Sequence, residues 1–278
     1  MPTTGELKTV PGAVNSNGEG YRSEFDHKDE IARPGYYSVL LKDYQVKAEL
    51  TATKRVAYQR FTFPEGKQSH ILFDIGNRQG ESGEAQDAEV VITDEGLIEG
   101  WVETLPLYCN KYQKGATVKM YFSASLDKKP VRVGTFRKKE IFEDQKQVKG
   151  VGAGAYLTFE TSENEAVTAK VGLSYTSVDN ARLNREIETD NDSLSFDDVK
   201  LAAAQTWEEY LGRIRVESSS KDDKVKFYTG LYHAILGRGL ASDVNGAYPK
   251  NDGTIGQLPM KDGKPAFSFY NTDGLWGG

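Results

Sequence analysis

The sequence has little of what would assign a function directly. It contains a single cysteine, Cys109, which excludes an internal disulfide framework or multi-cysteine metal site and favours a buried thiol. No apolar run approaches the roughly 18 residues that a membrane-spanning helix needs. The 35 Lys and Arg are outnumbered by 41 Asp and Glu, and the formal charge of -6 argues against a nucleic-acid-binding surface. A neutral polar ligand remains compatible with this composition.

Motifs of catalysis or metal binding are also lacking. The 3 histidines, at positions 27, 70 and 233, lie far apart without metal-binding spacing, which favours structural roles. The glycines at 150–154 precede a strand-like run and therefore predict a turn or bulge, because a dinucleotide site needs a following helix. Carboxylates are abundant, but no acid and base pair stands out. Asp192 and Asp198 fit a solvated linker and a helix cap, and Asp243 fits a turn.

What the sequence does contain is a long series of short strand patterns. In residues 46–51, Val46, Ala48 and Leu50 alternate with polar residues, so that one face needs a covering layer. Similar runs occur at 36–41, 56–63, 69–75, 88–93, 97–104, 118–125, 131–136, 155–159 and 166–175. Many short strands separated by regular turn signals predict a mainly β protein, a two-sheet antiparallel β-sandwich.

At residue 193 the apolar period becomes helical. Ser195 and Asp198 predict a capping box at the start of a helix that ends near residue 212. A second helix is predicted over 224–237, after the charged turn at 221–223. The pattern predicts a β-sandwich domain at 1–192, a helical linker at 193–219 and the start of a helical domain at 220–278.

Motifs along the whole chain resemble glycoside hydrolase family 92. They are GYRS at 20–23, PGYYSVL at 34–40, ELTAT at 49–53, FTFP at 61–64, SYTSV at 174–178, FYTGLYH at 227–233 and SDVNG at 242–246. That family consists of calcium-dependent exo-α-mannosidases with a β-sandwich, a helical linker and an (α/α)6 catalytic barrel. The resemblance implies that 220–278 is the truncated start of such a barrel.

The resemblance also implies the reaction of the parent protein. The family trims terminal mannose from α-mannoside glycans with inversion, and its catalytic acid, base and calcium ligands come later in the barrel. No catalytic residue or metal ligand is therefore expected in this chain, which alone is expected to be inactive. The run at residues 1–5 lies inside the family's domain. We therefore expect a fragment that starts late and stops early, lacks a signal sequence, and derives from a periplasmic or extracellular parent.

The end of the chain carries the implied sugar contacts. In the family a tryptophan there is commonly followed by an aspartate that hydrogen-bonds the terminal mannose. Trp276 matches the tryptophan, but Gly277 stands in place of the aspartate. The resemblance then leaves the polar contact to Asp273 or Asn271, or indicates another sugar preference. A role for Trp276 in the barrel core stays open.

Two residues near the N-terminus are further candidates. Arg22 and His27 belong to a loop-rich segment and are predicted either to touch sugar hydroxyls or to anchor that loop on the sandwich. Two other functions remain open for the whole chain. One is a non-catalytic carbohydrate-binding sandwich, and the other is a structural interaction domain.

Overall fold

A computed structural model of the chain describes residues 1–13, 18–78, 84–105, 117–236 and 239–270. Most of the described chain before residue 175 is β-strand, and helices follow it. The predicted buried thiol, Cys109, lies outside the described residues.

The strands follow from alternating apolar residues and short turns. In chain order they are β1 (Pro2–Thr4), β2 (Ile31–Arg33), β3 (Tyr36–Leu41), β4 (Val46–Ala52), β5 (Val56–Phe63), β6 (Gly66–Asp74), β7 (Glu84–Ile92), β8 (Ile98–Leu105), β9 (Val118–Leu126), β10 (Arg132–Arg137), β11 (Glu140–Glu143), β12 (Gln147–Lys149), β13 (Ala153–Thr161), β14 (Glu165–Ser174), β15 (Ala247–Pro249), β16 (Ile255–Gln257), β17 (Met260–Lys261) and β18 (Lys264–Pro265). The glycines before β13 form the predicted turn, in which Gly150 and Gly152 adopt positive φ.

The strands up to β14 form two antiparallel sheets. One has nine strands in the order β12-β7-β8-β9-β14-β5-β4-β3-β2, and the other has five in the order β1-β6-β13-β10-β11. The two sheets pack face to face, so the predicted two-sheet sandwich is confirmed.

The core lies between the sheets. Val46, Phe63 and Ile98 of the large sheet and Leu157 and Phe159 of the small one are at most 1% exposed and belong to one cluster. Complete burial of such a side chain contributes about 1.5–3 kcal/mol. The sequence places Leu50 on the same face as Val46, but its side chain is 37% exposed and lines a groove described below.

Three helices follow β14 in the described residues. They are α1 (Val178–Glu188), α2 (Phe196–Leu211) and α3 (Lys221–Leu236). The predicted capping box of α2 is present, because Ser195 Oγ accepts the amide of Asp198 while the Asp198 carboxylate accepts the Ser195 amide. None of the described helices is long and apolar enough to cross a membrane.

Helix α1 is not predicted by the pattern of apolar residues in the sequence. Its buried residues are Ala181, Asn184 and Arg185, two of which are polar, so the inward face has no apolar stripe to recognise. Helix α1 packs on β14 and β9 of the large sheet. Close approach is possible because Gly172 has no side chain: a Cβ there would lie 2.3 Å from the Ala181 carbonyl oxygen.

Helix α2 packs on the same sheet further along. Phe196 and Val199 form an apolar cluster with Val56 and Tyr58 of β5. Helix α3 contacts α2, with the rings of Trp207 and Tyr232 4.8 Å apart, but no residue of α3 is buried. After α3, β15 pairs with β16 and β17 pairs with β18.

Candidate functional site: the junction of sandwich and helices

Three hollows lie beside the large sheet. A groove of about 1040 Å³ runs between strands β2 to β5 and helices α2 and α3, and Leu50, Trp207 and Tyr228 line it. A cleft of about 360 Å³ opens between the two sheets, and a hollow of about 190 Å³ faces the segment after α3. Met120 and Leu173 line both smaller hollows, which are therefore adjacent.

The smallest hollow contains a buried carboxylate, that of Asp243. The residue is 2% exposed, and its side chain accepts hydrogen bonds from Ser174 Oγ (2.9 Å), Asn184 Nδ2 (2.7 Å) and Thr176 Oγ1. Burial of a carboxylate without hydrogen-bond donors is strongly unfavourable. These three donors offset the free-energy cost of burying the Asp243 carboxylate. Asp243 does begin the predicted turn, with Gly246 donating to its carbonyl oxygen, but the burial of its side chain was not predicted.

An arginine binds the residue before Asp243 and also pairs with a glutamate of α1. Arg55, in the turn between β4 and β5, donates from Nη1 to Glu188 Oε1 at 2.6 Å and from its amide to Glu188 Oε2 at 2.8 Å. Its Nε donates to the Ser242 carbonyl oxygen at 2.6 Å. Arg55 therefore ties the sandwich both to the end of α1 and to the segment after α3. We call Arg55, Ser174, Thr176, Asn184, Glu188 and Asp243 the junction cluster.

Helix α1 is held in place by two further ion pairs. Arg182 donates to both carboxylate oxygens of Glu99, at 2.8 and 2.6 Å, and Ser123 donates to one of them. Burial alone would raise the pKa of Glu99, but the Arg182 and Ser123 hydrogen bonds outweigh burial and lower it. Asp192, predicted as part of a solvated linker, pairs with the buried Arg185. Asp192 does lie in the linker between α1 and α2, with its side chain 36% exposed, but its pairing with Arg185 was not predicted because the partner comes from the previous helix.

The predicted sugar-contact residues at the end of the chain, Asn271, Asp273 and Trp276, lie outside the described residues, as does Gly277. The described chain ends at Tyr270, which forms a β-bridge with Leu240, three residues before Asp243. Tyr270 itself is therefore tied to the stretch that leads into Asp243.

The structure places Arg22 and His27 elsewhere. Both are exposed, and His27 Nδ1 lies 2.8 Å from a carboxylate oxygen of Glu30. Their segment contacts the β3–β4 turn through Lys42 and Asp43, at the opposite end of β4 from Arg55. The structure therefore does not bring them to the junction cluster.

The described ranges of the chain contain no group of three or more His, Cys, Asp or Glu side chains arranged to hold a metal ion. The Asp243 carboxylate is surrounded by hydroxyl and amide donors, whereas a cation would need oxygen acceptors. The junction cluster thus does not fit calcium.

Comparison with known proteins shows which protein family the chain belongs to. Residues 1–174 match the glycosyl hydrolase family 92 N-terminal domain, and residues 180–277 match the glycosyl hydrolase family 92 catalytic domain. A β-sandwich that leads into such a catalytic domain defines part of a glycoside hydrolase. The chain belongs to glycoside hydrolase family 92.

Individual relatives agree with this result. A family GH92 alpha-mannosidase from Bacteroides thetaiotaomicron superimposes with a TM-score of 0.85 at 29% identity, over 97% of this chain and 35% of its own. A family GH92 inverting mannosidase from the same organism has a TM-score of 0.71, covering 97% of this chain and 33% of its own, and at 22% identity it supports the fold alone. An uncharacterized secreted glycosidase of Arthroderma benhamiae is 28% identical over 74% of this chain. The chain spans about a third of the length of these relatives.

Proposed function

We propose that this chain is the sandwich and the opening of the catalytic domain of an exo-acting α-mannosidase. The main support is the pair of adjoining family matches, together with 29% identity to an alpha-mannosidase over nearly the whole chain. The proposed reaction is a single displacement. A carboxylic acid protonates the leaving oxygen while a carboxylate activates water on the opposite face of the sugar. Both groups come from the protein beyond Gly278.

The proposed role of this piece is to cap the helical domain. The groove between β4, α2 and α3 is lined mainly by apolar side chains, and α3 has no buried residue. Val225 and Leu236 of α3 are 54% and 50% exposed. Apolar faces of this kind usually pack against a partner. Further helices of the catalytic domain are the proposed partner, since the relatives are about three times as long.

The proposed sugar contacts are Trp276 with Asn271 or Asp273. Glycine has no side-chain acceptor, so Gly277 leaves the polar contact to a neighbouring residue. Arg22 and His27 stay as proposed rim contacts, with loop anchoring as the alternative.

Calcium and its ligands are proposed for the part of the protein beyond this chain. The proposed location is periplasmic or extracellular, in line with the secreted fungal relative.

The test is an assay of the full-length protein on α-mannobiosides, with a β-mannobioside as the control substrate. We expect release of mannose from the α-linked substrate alone, loss of activity in EGTA and recovery when calcium is added. Proton NMR of the first product should show the β-anomer, as inversion requires.

The 278-residue chain should release no mannose above background. Turnover by this chain alone would contradict a downstream acid and base. An inactive full-length protein that still binds mannoside would favour a carbohydrate-binding sandwich instead.

A further inference from the structure

Residues 241–247 follow α3 in the sequence but are far more buried than that helix. Ala241, Ser242, Asp243 and Ala247 are each at most 6% exposed, whereas α3 contains no buried residue. The family match places both stretches in the catalytic domain. The difference in burial indicates that different parts of the chain hold them. We call residues 241–247 the junction segment.

Helix α1 binds three successive residues of the junction segment. The Asp243 carboxylate accepts a hydrogen bond from Asn184 Nδ2 at 2.7 Å, and the Val244 amide donates to Asn184 Oδ1 at 2.9 Å. The next residue, Asn245, donates from Nδ2 to Asn180 Oδ1 at 2.8 Å. Because Asn184 is fully buried, water can replace its bonds only when the helix and the segment separate.

Helix α1 is in turn bound to the sandwich. Arg182 pairs with both carboxylate oxygens of Glu99 on β8. Arg55, in the turn between β4 and β5, binds Glu188 at the end of the helix and also the Ser242 carbonyl oxygen, both at 2.6 Å. Release of either the helix or the junction segment would therefore break a bond of this largely buried guanidinium.

Helix α3 is held by a different set of groups. Among the described residues, the ring of Tyr232 lies 4.8 Å from that of Trp207 in α2. The Tyr228 hydroxyl donates to the Ile214 carbonyl oxygen at 3.2 Å and accepts the Val216 amide at 3.4 Å. These partners belong to α2 and to the connection that follows it. Elements with few buried contacts open at the lowest free energy in a folded protein.

We propose that the junction segment unfolds together with the sandwich and α1 as one cooperative unit, whereas α3 opens separately and more readily. Helix α3 is then fixed at both ends, by α2 and by the junction segment, and its middle moves without unfolding of the sandwich. The structural unit differs from the family match, because α1 and the junction segment lie within the matched catalytic domain but fold with the sandwich. This inference does not depend on the proposed reaction.

The test is native-state hydrogen exchange of the 278-residue chain, at a concentration at which it is monomeric and under conditions where exchange follows the opening equilibrium. The Val244 amide should exchange as slowly as the core amides of β5 and β14. Interior amides of α3 should exchange at least about 100-fold faster, because they need only local opening. Equal rates at Val244 and in α3 would overturn the proposal.

Urea provides a second measurement that needs no substitution. Exchange at Val244 and in the sandwich core should accelerate with the same dependence on urea concentration, because both need global unfolding. Exchange in α3 should depend less on urea, since local opening exposes less surface. A shallow dependence at Val244, equal to that of α3, would count against one cooperative unit.

Ile92→Val separates global from local opening. Ile92 belongs to the sandwich core and lies on β7, which packs against β8, β12 and β13, and none of these strands carries a residue of the junction cluster. Loss of one methylene group should speed exchange of the core amides about 5-fold. The Val244 amide should accelerate by the same factor, and α3 should not change. An unchanged Val244 rate would show that the junction segment opens by itself and would refute the proposal.

Tyr228→Phe is the matched variant in α3. It removes the hydroxyl that binds Ile214 and Val216, and Tyr228 is only partly buried, so the chain should stay folded. Exchange in α3 should accelerate about 2- to 10-fold, the usual effect of one lost hydrogen bond, while Val244 keeps its rate. An equal acceleration at Val244 would mean that α3 and the junction segment open together, contrary to the proposal.

Discussion

At the scale of single residues, buried carboxylates organise the polar contacts of this protein. Glu49 is 4% exposed and receives hydrogen bonds from Arg60 Nε, Arg60 Nη2 and the Tyr36 hydroxyl. Burial alone would raise the pKa of Glu49, but the Arg60 and Tyr36 bonds and the Arg60 charge outweigh burial and lower it to about 2. Since the folded state favours the ionised form, Glu49 couples stability to pH.

We expect Glu49→Gln to reduce the free energy of unfolding at pH 7 by about 1–3 kcal/mol, because Arg60 loses a charged partner. A lowered folded pKa contributes stability that is fully present above the unfolded value of about 4.3 and is lost as the pH falls. The difference in the free energy of unfolding between wild type and Glu49→Gln should therefore decrease as the pH falls from 4.3 to 2. Urea unfolding across this range measures it, with the exposed Glu95→Gln as control. A difference that does not vary with pH would contradict the assignment.

At the scale of elements, the packing of α1 on the large sheet determines where the junction cluster forms. The helix carries Asn184 and Glu188 of the junction cluster, and Gly172 allows its close approach to β14. A Cβ at Gly172 would lie 2.7 Å from the Cβ of Arg185 as well as 2.3 Å from the Ala181 carbonyl oxygen. Neither atom is the end of a flexible side chain, so the helix itself would have to move.

Gly172→Ala should therefore destabilise the chain by about 1–3 kcal/mol, the usual cost of overpacking. Gly66→Ala is the matched strand control, because its Cβ would meet only Ser69 Oγ at 3.8 Å. Chemical denaturation monitored by tryptophan fluorescence compares the two. Equal stability of Gly172→Ala and wild type would show that α1 tolerates a wider separation from β14.

At the scale of the whole molecule, the apolar core of the sandwich is buried between its two sheets, whereas helix α3 leaves apolar side chains exposed. Val225 and Leu236 of α3 are at least half exposed, and the adjoining groove of about 1040 Å³ is open. Contiguous apolar patches beyond a few hundred Å² are uncommon on monomeric proteins. The helical part thus carries a surface suited to contact with further protein.

We expect the 278-residue chain to associate with itself in solution through this surface. Val225→Glu combined with Leu236→Lys should reduce association without unfolding the sandwich, because neither residue is buried. Sedimentation velocity over a range of concentrations measures the change. Val131→Glu is the control, since Val131 is 63% exposed on the sandwich. A monodisperse monomer of the unsubstituted chain would count against an uncovered catalytic-domain surface.

The class of fold and the family can be predicted from short stretches of the sequence. Strands β4 and β5 follow from alternation over eight residues or fewer, and the start of α2 follows from Ser195 and Asp198, three positions apart. These signals are local, so one stretch of sequence contains all of the interacting groups. The family 92 resemblance is confirmed by the family matches over residues 1–174 and 180–277.

The junction cluster, in contrast, depends on residues that are far apart in the sequence and meet only in the folded chain. Asp243 meets Ser174 and Asn184, 69 and 59 positions away, and Arg55 meets Glu188 across 133 positions. The sequence around Asp243 indicates only a turn. Helix α1 was not predicted because its buried face is mainly polar. Whether a carboxylate is buried depends on which donors the fold brings to it, and no local pattern records such distant partners.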